Sequence, residues 1–168
     1  DGNYVISEDL TIDSENSVSL NSGTVTVSTG VTLTIKSNGR IELHGMTLTN
    51  NGTIVVENDP EADPPNGSLE IWGDGENSGL LTNNGQITID GQMEIIGGEL
   101  SNNEAVTVNG FLRFADGAKL SNFGAVTGGE SGRIMLDNPS DATTPLTITG
   151  LSFYDNADTT AAELNGQF

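Results

Sequence analysis

The chain contains no cysteine, and its cationic side chains are scarce. The absence of cysteine excludes disulfides, zinc–thiolate sites and cysteine nucleophiles. Only 5 Lys and Arg residues stand against 24 Asp and Glu, for a formal net charge of −19. Nucleic acid and anionic membrane surfaces are therefore poor partners, because binding either one requires clustered Lys and Arg.

Long apolar runs are also missing. No stretch approaches the roughly 20 apolar residues of a membrane-spanning helix. The apolar fraction of 34% is nevertheless strongly patterned, which predicts a folded chain and not a disordered one. A length of 168 residues suits a single domain, and the opening DGNYV is compatible with a processed N-terminus.

A five-residue phrase recurs along the chain. LTNNG stands at 48–52 and again at 81–85, with variants LSNNE at 100–104 and LSNFG at 120–124. The leading leucines are separated by 33, 19 and 20 residues. We attribute the long first interval to an acidic insertion, ENDPEADPPNG, at 57–67. A fixed interval of this kind is the signature of a repeat architecture.

Each period of about 20 residues reads as three short strands separated by turns. In residues 105–124 these are AVTV, FLRF and KLSN, and no helical pattern lies between them. This predicts one coil of a parallel β-helix, whose stacked coils pair strand to strand about 4.8 Å apart. A β-sandwich would also have many short strands, but it gives no reason for the same five residues to return at a fixed interval.

The repeated asparagines are predicted to lie above one another at one corner of the coils. Asparagine tolerates turn conformations, and stacked side-chain amides form hydrogen bonds along a ladder. We favour this structural role over a row of ligand-binding amides. The ladder residues are Asn50, Asn83, Asn102 and Asn122.

The first third of the chain is less regular. Gly23, Gly39 and Gly52 each precede an alternating run, but intervals of 16 and 13 residues are too short for full coils. We assign one to two turns between Gly23 and Gly52, in a register that the pattern does not define.

The segments GVTLTIKSNGRIELHG (30–45) and LTNNGTI (48–54) resemble the secreted and surface right-handed parallel β-helix proteins of the adhesin and surface-fibre type. The resemblance covers roughly residues 18–136. It implies an all-β, single-stranded right-handed β-helix that is exported to the extracellular space or cell surface, and it implies no particular site.

Both ends depart from the repeat. Residues 1–17 are predicted to form an N-terminal cap, residues 18–136 the coils, and residues 137–168 further strands with a cap or tail. A short helix is expected at 158–164, with Asp158 as its N-cap and Gly166 just beyond its end.

No catalytic constellation is predicted. Pectin-cleaving hydrolases of this fold use an Asp cluster with GHG and RIK motifs, and His44 and Arg133 are only the nearest approaches here. The strand carboxylates, interpreted as scattered, are Glu42, Glu70, Asp90 and Glu94. With no nucleophile–base pair, the chain is expected not to be an enzyme.

The acidic insertion and the residues after it are a candidate Ca²⁺ site, because calcium prefers hard oxygen ligands. Its carboxylates are Asp59, Glu61, Asp63, Asp74 and Glu76. A solvated, proline-stiffened loop is the favoured interpretation, because charge runs are usually solvated. Pro64 also stands where a helix–loop–helix calcium site needs a turn glycine. Calcium is the only cofactor that the sequence suggests.

Two further features have competing interpretations. Trp72 could stack on a sugar ring or pack beneath a loop. The threonine pairs could form an ice-binding array or simply reflect the strand propensity of threonine, which we favour because their spacing is uneven. These pairs are Thr24/Thr26, Thr32/Thr34, Thr47/Thr49 and Thr147/Thr149.

The sequence therefore favours a non-catalytic, extracellular structural protein: a self-associating subunit of a filament, surface layer or adhesin stalk. Homo-polymerisation would be head-to-tail or mediated by the tail, with Leu164 and Phe168 as contacts. The alternative is a carbohydrate- or receptor-binding adhesin module that uses residues 57–77. A polysaccharide lyase or hydrolase ranks third.

Overall fold

The computed structural model describes residues 2–59, 61, 66–73, 79–128 and 131–137 with their side chains. It describes the strands at 147–154 and 161–167 by their backbone. Within these ranges the regular structure is entirely β. Nothing in the described part of the chain is a helix long and apolar enough to cross a membrane.

Three short strands make each coil, and corners of a few residues separate them. In chain order the strands are β1 (Gly2–Ile6), β2 (Leu10–Ile12), β3 (Val18–Leu20), β4 (Gly23–Val27), β5 (Thr32–Ile35), β6 (Arg40–His44), β7 (Thr47–Asn50), β8 (Thr53–Val56), β9 (Ser68–Trp72), β10 (Leu80–Asn83), β11 (Gln86–Ile89), β12 (Gln92–Ile96), β13 (Glu99–Asn102), β14 (Ala105–Val108), β15 (Phe111–Ala115), β16 (Lys119–Asn122), β17 (Ala125–Gly128), β18 (Arg133–Asp137), β19 (Thr147–Tyr154) and β20 (Ala161–Gln167).

From β1 to β19, every third strand belongs to the same sheet. The first sheet runs β1-β4-β7-β10-β13-β16-β19-β20, the second β2-β5-β8-β11-β14-β17 and the third β3-β6-β9-β12-β15-β18. All neighbours are parallel except β19 and β20. The chain is thus a parallel β-solenoid of about six turns with about 22 residues per turn, which confirms the predicted fold class.

Alternation along each strand builds the core. In β11, Ile87 and Ile89 are buried while Thr88 between them is only half-buried at the surface. Because the strands are parallel and in register, inward residues of successive coils stack into columns of Val, Ile and Leu. One continuous cluster of such residues runs from Ile12 to Val126.

The register explains the uneven intervals in the sequence. Leu48 lies opposite Leu81, Leu81 opposite Leu100, and Leu100 opposite Leu120. The third coil contains two long corners, one between β8 and β9 and the other between β9 and β10. The first of these corners is the insertion that was predicted at 57–67. The second corner was not predicted from the sequence.

The glycines of the first third mark different corners. Gly23 opens β4 in the first sheet, Gly39 precedes β6 in the third, and Gly52 precedes β8 in the second. Their intervals are therefore distances between different corners and not the spacing of one corner from coil to coil. The true spacing appears where Thr24 pairs with Thr47.

The two ends differ in construction. β1 and β2, within the range predicted as a cap, pair in parallel with β4 and β5, so that range contains the first strands of the solenoid. The predicted helix at 158–164 is wrong, because its described part belongs to β20, which pairs antiparallel with β19. That pairing satisfies backbone groups along the strand, whereas a seven-residue helix is marginal without tertiary support. Asp158 lies outside the described residues.

The predicted asparagine column is present at the corner between the first and second sheets. The amide Nδ2 of Asn50 donates to Oδ1 of Asn83 at 2.8 Å, and Asn83 donates to Asn102 at 2.8 Å. Asn102 in turn donates to Asn122 at 2.7 Å. The first three residues of this ladder are fully buried. Buried amides need such partners, because an unsatisfied one costs about 1–3 kcal/mol.

A second, exposed ladder accompanies the buried one. Here Nδ2 of Asn84 donates to Oδ1 of Asn51 at 3.1 Å, and Nδ2 of Asn103 donates to Oδ1 of Asn84 at 2.9 Å. The next position in this column is Phe123, which is 76% exposed. Gly85, which follows Asn84, lies too close to the neighbouring backbone for any side chain. A Cβ at this position would be 2.1 Å from the carbonyl oxygen of Gly52.

We predict that Asn102→Leu lowers the free energy of unfolding by about 1–3 kcal/mol, because it leaves Asn83 Nδ2 and Asn122 Oδ1 without their ladder partner. Denaturant titration of the purified variant measures this loss. The matched control is Asn103→Leu in the exposed ladder, where water replaces the lost bond and the change should stay within about 0.5 kcal/mol. Equal losses in the two variants would contradict the role assigned to the buried ladder.

Candidate functional site

The first candidate surface is the open end of the first coil. A cavity of about 300 Å³ lies there, and its lining side chains are all aliphatic apart from Tyr4. Those that the first coil itself contributes are Tyr4, Ile6, Leu10, Ile12, Val18 and Leu20. Tyr4 is 46% exposed and Leu10 is 39% exposed, so none of the described residues covers the core at this end.

The backbone is open at the same end. Among the described residues, β1, β2 and β3 each pair with a strand on one side only, namely β4, β5 and β6. The three strands therefore present their other edges, and unpaired edges are templates for pairing with another chain. This surface combines apolar side chains with three available strand edges.

The second candidate surface is the outer face of the third sheet. It carries all three arginines of the chain, Arg40, Arg113 and Arg133. Carboxylates of the same sheet pair with two of them, since Arg40 contacts Glu42 and Glu70 and Arg113 contacts Glu94 and Asp137.

The interpretation of the strand carboxylates as scattered is wrong for three of the four. Glu42, Glu70 and Glu94 occupy the same position in three successive strands of the third sheet, and Arg113 continues their column. The long corners of the third coil hid this alignment by stretching the interval. The signal is a recurring pattern of apolar residue, Glu, apolar residue, any residue and Gly: IELHG, LEIWG and MEIIG. Asp90 lies elsewhere and accepts a hydrogen bond from Asn109.

Glu70 is the most thoroughly hydrogen-bonded carboxylate of this face. Arg40 donates to it through Nε and Nη2, both at 3.0 Å, and Ser68 Oγ donates at 2.9 Å. Trp72 Nε1 completes the set at 3.1 Å. Burial opposes ionisation of Glu70, but the bonds from Arg40, Ser68 and Trp72 outweigh it and hold the pKa of Glu70 below its ordinary value. The carboxylate thereby fixes the orientation of Arg40.

A second ion network lies one coil further on. Arg113 donates to Glu94 at 2.6 Å and to Asp137 at 2.5 Å, and Gln92 donates to Glu94 from its own strand. These bonds to carboxylates raise the pKa of Arg113 above its already high ordinary value. Each of the two buried carboxylates is therefore held by an arginine of a neighbouring strand. Arg40 on β6 holds Glu70 on β9, and Arg113 on β15 holds Glu94 on β12.

Trp72 packs against His44. The ring centroids are 5.7 Å apart with an interplanar angle of 24°, and Trp72 is partly buried with its indole nitrogen bonded to Glu70. One face of the indole is thus occupied by another ring of the same chain. This geometry favours the packing interpretation of Trp72 over an open platform for a sugar.

A polar cleft lies beside Arg40. Its volume is about 270 Å³, close to the lower end of the range of small-molecule sites. It is bordered by the turn before β6, by the start of β9 and by the start of β12. The polar side chains that line it are Asn38, Arg40, Asn66, Ser68, Glu70 and Gln92.

The predicted calcium ligands are only partly within the described residues. Asp59 and Glu61 are exposed, and the backbone N–H of Glu61 donates to Oδ1 of Asp59 at 3.0 Å. Asp63, Asp74 and Glu76 lie outside the described residues. In the part of the chain that is described, no three metal-ligating side chains are grouped closely enough to hold an ion.

Threonines form columns but not a two-dimensional array. Thr26, Thr49 and Thr82 stack on the first sheet. The neighbouring column passes from Thr24 and Thr47 to Leu80, then to an acidic and a basic residue. The interrupted second column favours strand propensity over a regular ice-binding lattice.

No protein-family profile, curated protein or solved structure matches this chain.

The free energy of unfolding should depend on pH through the ionisation of Glu70. Because its pKa in the folded protein lies below the ordinary value of about 4.3, the ionised carboxylate contributes stability that is present above that value. The contribution is lost as the pH falls through the folded-state pKa. We expect Glu70→Gln to cost roughly 1–3 kcal/mol at pH 7 and progressively less as the pH falls below about 4, as measured by denaturant titration. A cost that stays constant down to pH 3 would contradict this.

Calcium binding by the 57–67 insertion and its neighbour stays a prediction. If the acidic loops hold the ion, the melting temperature should rise with Ca²⁺ and fall with chelator, because a ligand bound only by the folded state adds stability. Asp59→Asn combined with Glu61→Gln should then remove the response. A melting temperature that changes with neither Ca²⁺ nor chelator would show that the loop is only solvated and binds no ion.

Proposed function

We propose that this chain is a non-catalytic, exported structural protein that associates with copies of itself through its first coil. The assembly would be a filament, a surface layer or the stalk of an adhesin. The observation that supports the proposal is the open end of the first coil, where an apolar core and three strand edges face outward together.

The opening resembles an interior and not an ordinary surface. Elsewhere in the solenoid, equivalent side chains such as Leu81 and Ile87 are buried because another coil covers them on each side. The first coil has such cover on one side only. Another coil stacked on it would bury Tyr4 and Leu10 and pair the edges of β1, β2 and β3, which supplies both hydrophobic and hydrogen-bonding stabilisation.

The last coil offers matching edges in two sheets. Among the described residues, β17 and β18 each pair on one side only, with β14 and β15. A first coil stacked there would continue the parallel pairing of the second and third sheets. Such a head-to-tail contact is heterologous and propagates into a filament.

The C-terminal strand is placed as part of its own chain. β20 pairs with β19 along most of its length, and Leu164 lies opposite Leu151. This favours a cap over a tail that reaches a neighbour, so the contact role predicted for Leu164 has less support than the first coil. Phe168 lies outside the described residues.

We predict that Leu10→Glu abolishes self-association, because a carboxylate at the apolar opening would be desolvated by a stacked coil. Sedimentation velocity over a hundredfold concentration range measures the effect. The matched control is Val5→Glu on the neighbouring strand, where position 5 pairs with Thr26 of the outward column, so the added charge should leave assembly intact.

Three outcomes separate the arrangements. Polymers that grow with concentration and disappear only in Leu10→Glu support head-to-tail stacking. A discrete dimer lost in the same variant would show that two first coils meet instead, which overturns the head-to-tail geometry. A wild-type protein that stays monomeric throughout would contradict self-association itself. Thermal melting of both variants verifies that each is folded.

A further inference from the structure

The polar cleft beside Arg40 carries an inference separate from self-association. We infer that this cleft binds a neutral, hydroxyl-rich ligand, namely a sugar residue of a polysaccharide. The inference depends on which hydrogen-bonding groups in the cleft are already used within the protein and which remain for a ligand.

Glu70 is saturated. Its two oxygens accept from Arg40, Ser68 and Trp72, and the residue is 6% exposed. It therefore acts as a buttress that holds the guanidinium and hydroxyl in place. A preorganised polar group loses less entropy when a ligand binds, which favours binding.

Several donors and acceptors around Glu70 make no hydrogen bond to the described residues. The Nη2 group of Arg40 bonds to Glu70 and Glu42, whereas Nη1 makes no hydrogen bond to the described residues. Ser68 donates its single proton to Glu70 and keeps its oxygen lone pairs as acceptors. Gln92 uses its Nε2 on Glu94 and keeps Oε1, and the side chain of Asn66 bonds to none of the described residues.

The mixture of donors and acceptors selects the ligand. An anion would accept from Arg40 Nη1 but would meet the oxygens of Ser68 and Gln92, with Glu42 and Glu70 already neutralising the arginine. A cation would meet the guanidinium. A vicinal pair of hydroxyls both donates and accepts, so it satisfies every group without adding charge. The net charge of −19 further disfavours acidic polymers such as polyuronates.

The location suits a polymer and not only a single sugar. The cleft lies on the outer face of the third sheet, whose strands repeat along the solenoid axis. Ser68 lies on β9, and Gln92 lies opposite it on β12, the next strand of that sheet. A chain of sugars can therefore lie on the face, with one unit seated in the cleft.

Native gel electrophoresis with polysaccharide in the gel tests the inference. Dextran, mannan and xylan are the neutral probes, and polygalacturonate is the acidic one. We expect retardation by at least one neutral polymer and none by polygalacturonate. Asn66→Ala should weaken it by about two- to tenfold for each hydrogen bond lost, and the double variant with Gln92→Ala should remove it. Gln86→Ala, on the outer face of the second sheet, is the matched control and should behave as wild type.

Asn66→Ala should leave the fold intact, because the Asn66 side chain bonds to none of the described residues. Melting curves of both variants verify that each is folded. Three results would overturn the inference. They are no retardation by any neutral polymer, retardation by polygalacturonate alone, and full retardation of the double variant. Self-association fails or succeeds independently, because Leu10→Glu lies at the open end and not in the cleft.

Discussion

Parallel backbone pairing between successive coils is the constraint on which the rest of the structure depends. Each strand bonds to the equivalent strand one coil away, so every side chain lies above its counterpart. Residues that stack on themselves favourably, such as Leu, Ile and Asn, therefore recur, and a mismatch at one coil affects two neighbours. The same constraint explains why, among the described residues, the first coil has one unpaired edge in each sheet.

The sequence predicted the architecture where this constraint is visible at short range. Intervals of 19 and 20 residues placed Asn83, Asn102 and Asn122 in one column, and the structure has them there. It failed where corners vary in length, because a solenoid tolerates long loops without changing the register of its strands. That tolerance hid the column of Glu42, Glu70 and Glu94. The final strand, β20, was wrongly predicted as a helix. It is extended because it pairs with β19, and that pairing cannot be read from the local sequence.

The candidate sites could be predicted less well than the fold. An open apolar end depends on which coil comes first, and the polar cleft depends on which hydrogen bonds are already satisfied. Neither property can be predicted from the identity of a single residue. Trp72 illustrates this, since the lone indole was compatible with a sugar platform or with packing beneath a loop, and the register places it beside His44 with its Nε1 bonded to Glu70.

The two asparagine ladders run in opposite directions. In the buried ladder each amide donates toward the later coil, from Asn50 to Asn83 and onward, whereas in the exposed ladder Asn103 and Asn84 donate toward the earlier coil. Amides aligned head to tail polarise one another, so each ladder strengthens with every coil it gains. The two dipole chains point in opposite directions along one corner, so the two bonds of the exposed ladder partly offset the three bonds of the buried one. The corner thus gains cooperative hydrogen bonding in both ladders while their dipoles oppose each other.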